Sequence, residues 1–251
     1  MKIVKTVVVT GGSSGIGASI SRAFYNKGYF VVIGSRHDNG LVKEFKGRGK
    51  FKMTDVSDMR QLFSLVKTAI DCTGRIDIMV NNAGLSEWRS LDNVDEAFWN
   101  RMIDINLKGT FFGCRYAAAY LKSGGGIINI SSLAGKRGSA NNSVYCASKF
   151  GVNGITQSLA KELGPKGIRV NAVCPVYVRT KGLLGALKDK NSPAHGESVA
   201  EFLDDFAQTQ SALKYLPKAD EIARVCLFLA SEESSPITGQ CINVDCGVLP
   251  Q

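Results

Sequence analysis

Runs of consecutive apolar, mostly β-branched residues alternate along this chain with stretches whose apolar positions recur every three or four residues. The runs IVKTVVVT, YFVVIGSR, FKMTD, IDIMVNNAG and IINIS, the last ending toward Ser132, predict strands. Apolar residues at successive positions mark strands buried on both faces, the signature of a parallel sheet. Between them, ISRAFYNKG, DMRQLFSLVKTAIDC, DEAFWNRMIDINLKGTFFGCRYAAAYL and SVYCASKFGVNGITQSLAKEL have helical spacing, the last opened by Ser143. Alternating strands and helices with right-handed crossovers give a three-layer, doubly wound α/β fold, expected as a single domain with a mainly parallel sheet of seven strands. From 180 to about 216 the alternation stops. Small residues, a Ser-Pro pair and an amphipathic stretch from Ser198 to Phe206 take its place.

Composition narrows the class. At 251 residues and 44% hydrophobic content the chain can bury one sizeable core. No run is apolar enough to span a bilayer, and MKIVKTVVVTGG passes from a short basic start into a strand without a leader-like apolar stretch, so a cytoplasmic protein is expected. The formal net charge is +9, but lysines and arginines are scattered and not interleaved with aromatics, which argues against nucleic acid or membrane as partner. Seven cysteines without a Cys-x-x-Cys, mostly inside apolar runs, read as buried free thiols. The two histidines, His37 and His195, read as surface residues, too few for a histidine metal centre; no metal is expected.

Two stretches carry candidate chemistry. The first strand runs into GGSSGIG and then a helix, the context of a phosphate-binding turn: Gly11, Gly15 and Gly17 remove side chains where backbone approaches a pyrophosphate, and the helix N-terminus offers amides and a dipole. The second is SVYCASKFG. Tyr145 and Lys149 lie at i and i+4, one turn apart on one helix face. A lysine ammonium at about 4 Å, worth roughly 4 kcal/mol at an effective dielectric near 20, would bring a phenol down toward neutrality and make a tuned acid and base. Tyr177 and Lys181 repeat the spacing but follow Pro175 and precede Gly-Leu-Leu-Gly, so they read as a coincidence outside helix register.

TGGSSGIG, Asp55-Val56, NNAG at 81 to 84, Asn106, Ser132, YCASK at 145 to 149 and IRVNAVCP at 168 to 175 together resemble the single-domain branch of the short-chain dehydrogenase/reductase family. SEESSPITGQCINVDCG resembles that family's last helix end and strand. The resemblance implies a Rossmann-type sheet with the site at the carboxyl ends of its strands. It implies Tyr145 as general acid and base, Lys149 as the group that depresses its pKa and holds the nicotinamide ribose, Ser132 as donor to the substrate carbonyl, and Asn106 as holder of a relay water. It places Gly11, Gly15 and Gly17 along the pyrophosphate, Asp55 and Val56 at the adenine, Asn81 on the adenosine side and Thr180 at the carboxamide. Ser13, Ser14, Ile16, Ala83, Gly84, Pro175 and Val178 complete the implied cofactor site.

At the end of the second strand Ser35 stands where an NAD site has a carboxylate, and Arg36 follows with a fork suited to a phosphate. NADP(H) is therefore the expected cofactor, with NAD(H) possible. Two positions depart from the family pattern: Val176 follows Pro175 where glycine is usual, and Cys246 replaces a glycine of the terminal motif. The expected function is an NADPH-dependent reductase of a ketone, sugar or oxoacyl carbonyl. The alternatives are an NAD-linked alcohol or sugar dehydrogenase and, more remotely, a non-catalytic nucleotide-binding regulator. The family also implies a homotetramer, consistent with apolar faces at Phe98 to Tyr120 and Val152 to Leu163, and a substrate lid over 180 to 216.

Overall fold

The computed structural model describes residues 4–250. Seven strands form one sheet: β1 (Thr6–Thr10), β2 (Phe30–Ser35), β3 (Gly49–Met53), β4 (Ile76–Asn81), β5 (Leu121–Ile130), β6 (Arg169–Pro175) and β7 (Cys241–Val244). Their order is β3-β2-β1-β4-β5-β6-β7, and every pairing is parallel. The expected "mainly parallel" sheet is thus wholly parallel. The chain reverses direction of winding between β1 and β4, which opens a crevice at their carboxyl ends. Ile3, the first apolar residue of the predicted opening run, lies outside the described residues.

Alternation within the strands builds the layers. Val7, Val9, Val31, Ile33, Val80 and Ile128 face one side and pack against α1 (Gly15–Asn26) and α8 (Ala219–Leu229). Val8, Val32, Met79, Ile127 and Val170 face the other and pack against α2 (Met59–Thr73), α4 (Gly109–Ala118) and α5 (Ser143–Leu163). Burying a valine or isoleucine side chain contributes roughly 1.5–3 kcal/mol, so both faces of the central strands hold the layers together. Ends are marked by local chemistry: Asp58 caps α2 by accepting from Arg60 and Gln61 amides, and Gly74 closes it at φ 72°.

The long helical pattern after residue 95 is not one α-helix. It divides into α3 (Glu96–Ile103), a π turn at Asp104–Lys108, and α4. One extra residue per turn there is the kind of insertion found at functional sites, and it carries Asn106. The segment after β6 forms α6 (Lys181–Ala186) and α7 (Val199–Gln210). Leu187, Ala194, Leu203, Ala207 and Leu216 close on Trp88 in a small separate core. Four cysteines, Cys114, Cys146, Cys174 and Cys226, are buried free thiols as the pattern indicates; Cys72 is exposed because its helix turns it to solvent. His37 and His195 are exposed.

Candidate active site

Helix α5 begins at Ser143, as its apolar spacing predicts, and presents Tyr145 and Lys149 to a cleft of about 540 Å³ at the carboxyl ends of β1, β4, β5 and β6. Ser132 follows β5 and heads the short turn Leu133–Gly135, its Oγ accepting from the Ala134 amide at 3.1 Å. That bond uses a lone pair and leaves the hydroxyl hydrogen free to donate into the cleft. The Ser132 and Ser86 hydroxyls line the same cleft as the Tyr145 phenol, and both pull its pKa downward. Lys149 is only 4% exposed, and its Nζ donates to the Ile130 carbonyl at 2.9 Å.

The electrostatics correct the expectation from spacing. Lys149 Nζ stands 5.7 Å from the Tyr145 ring centroid, and burial rather than the ammonium sets the direction of the phenol's shift. The phenol is pushed above its ordinary value, chiefly by desolvation and against the opposing pull of the neighbouring Ser132 hydroxyl. The same desolvation brings Lys149 down to about 8. At neutral pH the phenol therefore carries its proton, and the ammonium is still mostly charged.

Asn106 is fully buried beneath this pair. From the π turn its Oδ1 accepts from the Leu85 amide at 2.7 Å and its Nδ2 donates to the Leu85 carbonyl at 2.8 Å, clamping the loop after β4. A side chain at Gly84 would meet Asn106 Oδ1 at 3.3 Å and Lys149 Nζ at 3.6 Å. Glycine there keeps open the space between amide and ammonium.

The glycine turn packs against the same loop. Gly11, at φ 63°, has no room for a Cβ, which would meet Ala83 Cα and Asn82 Nδ2 at 2.9 Å; at Gly17 it would meet the Gly11 carbonyl oxygen at 2.2 Å. Much of the glycine requirement is thus close packing of protein on protein. Ser14 is the extended N-cap of α1 and makes no side-chain cap, so the first amides of that helix point free beside Gly15 and Ile16. Ser35 Oγ accepts from the Ser13 amide at 3.3 Å, and exposed Arg36 lines the cleft. Asp38 is engaged by the Gly40 amide at 2.8 Å, inside its own turn.

Proteins of similar sequence share this fold. Residues 11–249 match the family model described as enoyl-(acyl carrier protein) reductase. The chain belongs to the short-chain dehydrogenase/reductase family. It is 36% identical to a 3-oxoacyl-(acyl-carrier-protein) reductase of Thermotoga maritima over 253 residues, 98% of each chain. It superposes on the aldohexose dehydrogenase of Thermoplasma acidophilum with a TM-score of 0.87 at 31% identity, covering 98% of this chain and 94% of that one. An actinorhodin polyketide ketoreductase with NADPH gives a TM-score of 0.89 at 28% identity, covering 98% and 97%. The protein is an NAD(P)-dependent oxidoreductase acting on carbonyl or alcohol groups.

Within this dehydrogenase/reductase fold the structure distributes the anticipated residues unevenly. Ser14, Ile16, Arg36, Gly84, Ser132, Tyr145, Lys149, Pro175, Val178 and Thr180 line one cleft. Thr180 caps α6 by accepting from the Leu183 amide at 3.3 Å and lies over Gly15. Asp55 is occupied in its own turn, accepting from the Ser57 amide and hydroxyl, while Val56 is buried against Gly109. Asn81 requires a correction. Its side chain turns into the core, where Nδ2 donates to Asn129 Oδ1 at 2.9 Å, because residue 81 is still in β4 and faces α4. One residue on, Asn82 reaches the cleft and ties it to β1 by donating to the Thr10 and Gly11 carbonyls.

Of the far wall of the cleft, sequence reasoning reached only the lid segment that carries Phe206. Ser86, Trp88, Arg137, Ser139, Tyr177 and Phe206 belong to it and come from three separate loops and α7. Tyr177 lies before α6, so it and Lys181 share no helical turn. Its ring packs edge-on to Phe202 and Phe206 of α7. Val176, where glycine is usual, packs into the small core under α7 and lines the cleft.

Proposed function

We propose that the protein is an NADPH-dependent carbonyl reductase in which Tyr145 is the proton donor. The observation that carries this reading is a buried phenol, its pKa raised by that burial, that shares with Ser132 and Ser86 a cleft that also holds the open N-terminus of α1. A dinucleotide fits the residues present. The α1 amides suit a pyrophosphate, Lys149 suits ribose hydroxyls, and Arg36 with no acid at Ser35 suits a 2′-phosphate. A bound dinucleotide would supply the hydride for the carbonyl carbon.

The chain's own groups handle the oxygen. Ser132 donates to it and holds it near the phenol. Tyr145 gives up its proton as negative charge develops there, which a phenol above its usual pKa does readily, since an alkoxide is a far stronger base. Lys149 stabilises the phenolate left behind, and Asn106 across the Gly84 gap supports a water that returns the proton. The T. maritima reductase and the ketoreductase named above favour reduction over the sugar dehydrogenase alternative.

Cofactor choice is read at the end of β2. Wild type is expected to show a higher kcat/KM with NADPH than with NADH. Ser35→Asp with Arg36→Ala should move that ratio toward NADH by at least about tenfold, about 1.4 kcal/mol. A wild type that already prefers NADH would refute the assignment of Arg36.

Residues 180 to 216 act as a lid. Their core is small and separate from the sheet, and Leu183 and Phe206 reach from it into the cleft. Limited proteolysis should cut this segment more slowly with cofactor and substrate than without; equal rates would count against closure. The assembly is a homotetramer built on the α4 and α5 faces, where Phe111 and Phe150 are exposed, as is Trp99 on α3. Light scattering at micromolar concentration tests this, and a monomer there would exclude it.

A further inference from the structure

The charges that line the cleft are of one sign. Arg36, Lys149 and Arg137 border it, and among the described residues no aspartate or glutamate does. The first two have tasks in the cofactor and proton reading. Arg137 does not: exposed at the cleft, it follows the Ser132 turn and among the described residues makes neither an ion pair nor a side-chain hydrogen bond, whereas Arg89 pairs with Asp95, Arg101 with Glu87 and Arg179 with Asp204.

Its surroundings are arranged for an anion. Gly138 beside it carries no side chain, and Ser139 next along adds a hydroxyl to the same wall. Tyr177 faces it across the mouth. The Arg137 charge acts on that phenol, yet burial still pushes the hydroxyl to about 12, so it remains a donor at any physiological pH. The ring is fixed edge-on by Phe202 and Phe206, which makes the hydroxyl a positioned group. One cation and neutral donors match a single negative charge.

We propose that the substrate is an oxo acid, its carboxylate held at the cleft mouth by Arg137 beside Tyr177 while its ketone lies between Ser132 and Tyr145. A planar guanidinium takes a carboxylate through two parallel hydrogen bonds, and such charged bonds are shorter and stronger than neutral ones. The apolar wall of Trp88, Val176, Leu183 and Phe206 then covers the carbon chain between the two ends.

This inference rests on the carbonyl reductase reading, and the experiment separates the two. A homologous series of linear oxo acids is assayed with NADPH, each against its own methyl ester, in wild type, Arg137→Ala and Arg137→Lys. In wild type at least one acid should exceed its ester in kcat/KM by at least about tenfold. Arg137→Ala should bring that ratio toward unity through KM, and Arg137→Lys should restore part of it. General damage to the fold would lower acid and ester together and leave the ratio alone. Esters reduced as well as acids in wild type, or a ratio unmoved by Arg137→Ala, would overturn the inference and leave the reductase reading intact. If no member of the series is reduced, binding decides: in a Trp99→Phe background Trp88 is the sole tryptophan, and an oxo acid should change its emission with Arg137 present and not with alanine there. Equal binding by both would overturn it.

Discussion

Tyr145→Phe is expected to lower turnover by about a thousandfold or more while leaving the dissociation constant for NADPH within a few-fold of wild type. The substitution keeps the ring, which packs against the small core of Phe98, Met102 and Val144, so the fold has no cavity to absorb. What it removes is the hydroxyl that Ser132 and Ser86 address. The carbonyl oxygen then gains negative charge with no proton at hand, and Ser132 alone can stabilise it but not neutralise it. Because burial raises the phenol pKa, the wild-type group is already in its acid form at neutral pH, so reduction should need no alkaline activation. Alcohol oxidation, which needs the phenolate, should rise as pH increases. Steady-state kinetics of both directions across pH measure this. Activity of the phenylalanine variant within tenfold of wild type would remove Tyr145 from the proton step.

How much of this was legible beforehand follows from the range of each signal. The strands could be read because Val7, Val8 and Val9 are buried in succession, and only a strand covered on both faces uses such a run. The Tyr145 and Lys149 pair could be read because helical spacing is local and α5 has no glycine or proline before Gly151. The π turn could not, since one inserted residue leaves the apolar spacing on either side nearly unchanged. Asn81 was misplaced for a related reason: one position at a strand end exchanges the cleft for the core. The direction of the phenol shift was missed because spacing gives the neighbour but not the burial, and desolvation decided the sign. Ser86, Arg137 and Tyr177 meet only because three loops converge at the ends of different strands, and no local pattern encodes that.

Lys149→Met is expected to abolish useful activity and, at neutral pH, to make the protein more stable. The ammonium is almost wholly buried, and burial lowers its pKa from 10.5 to about 8. An unfolded chain keeps this proton up to its higher, ordinary pKa, so between the two values the unfolded state binds more protons and folding becomes more favourable as pH rises. Below about pH 8 the whole cost is present, of order 3 kcal/mol for a shift of that size. Methionine fills a similar volume without the charge. It loses the bond to the Ile130 carbonyl, which offsets about 1 kcal/mol, so a net gain of about 1 to 2 kcal/mol remains. Denaturant unfolding of both proteins across pH is the measurement, taken as a difference so that the buried thiols, which titrate alike in each, cancel. The advantage of the variant should be greatest below about pH 8 and fade toward 10.5. A methionine variant less stable than wild type at neutral pH, or a difference that does not change with pH, would show that Lys149 is not a strained charge held for function. The expected outcome places the cost of the active site in one residue, since the same desolvation that weakens the fold keeps the ammonium free of competing water beside the phenol.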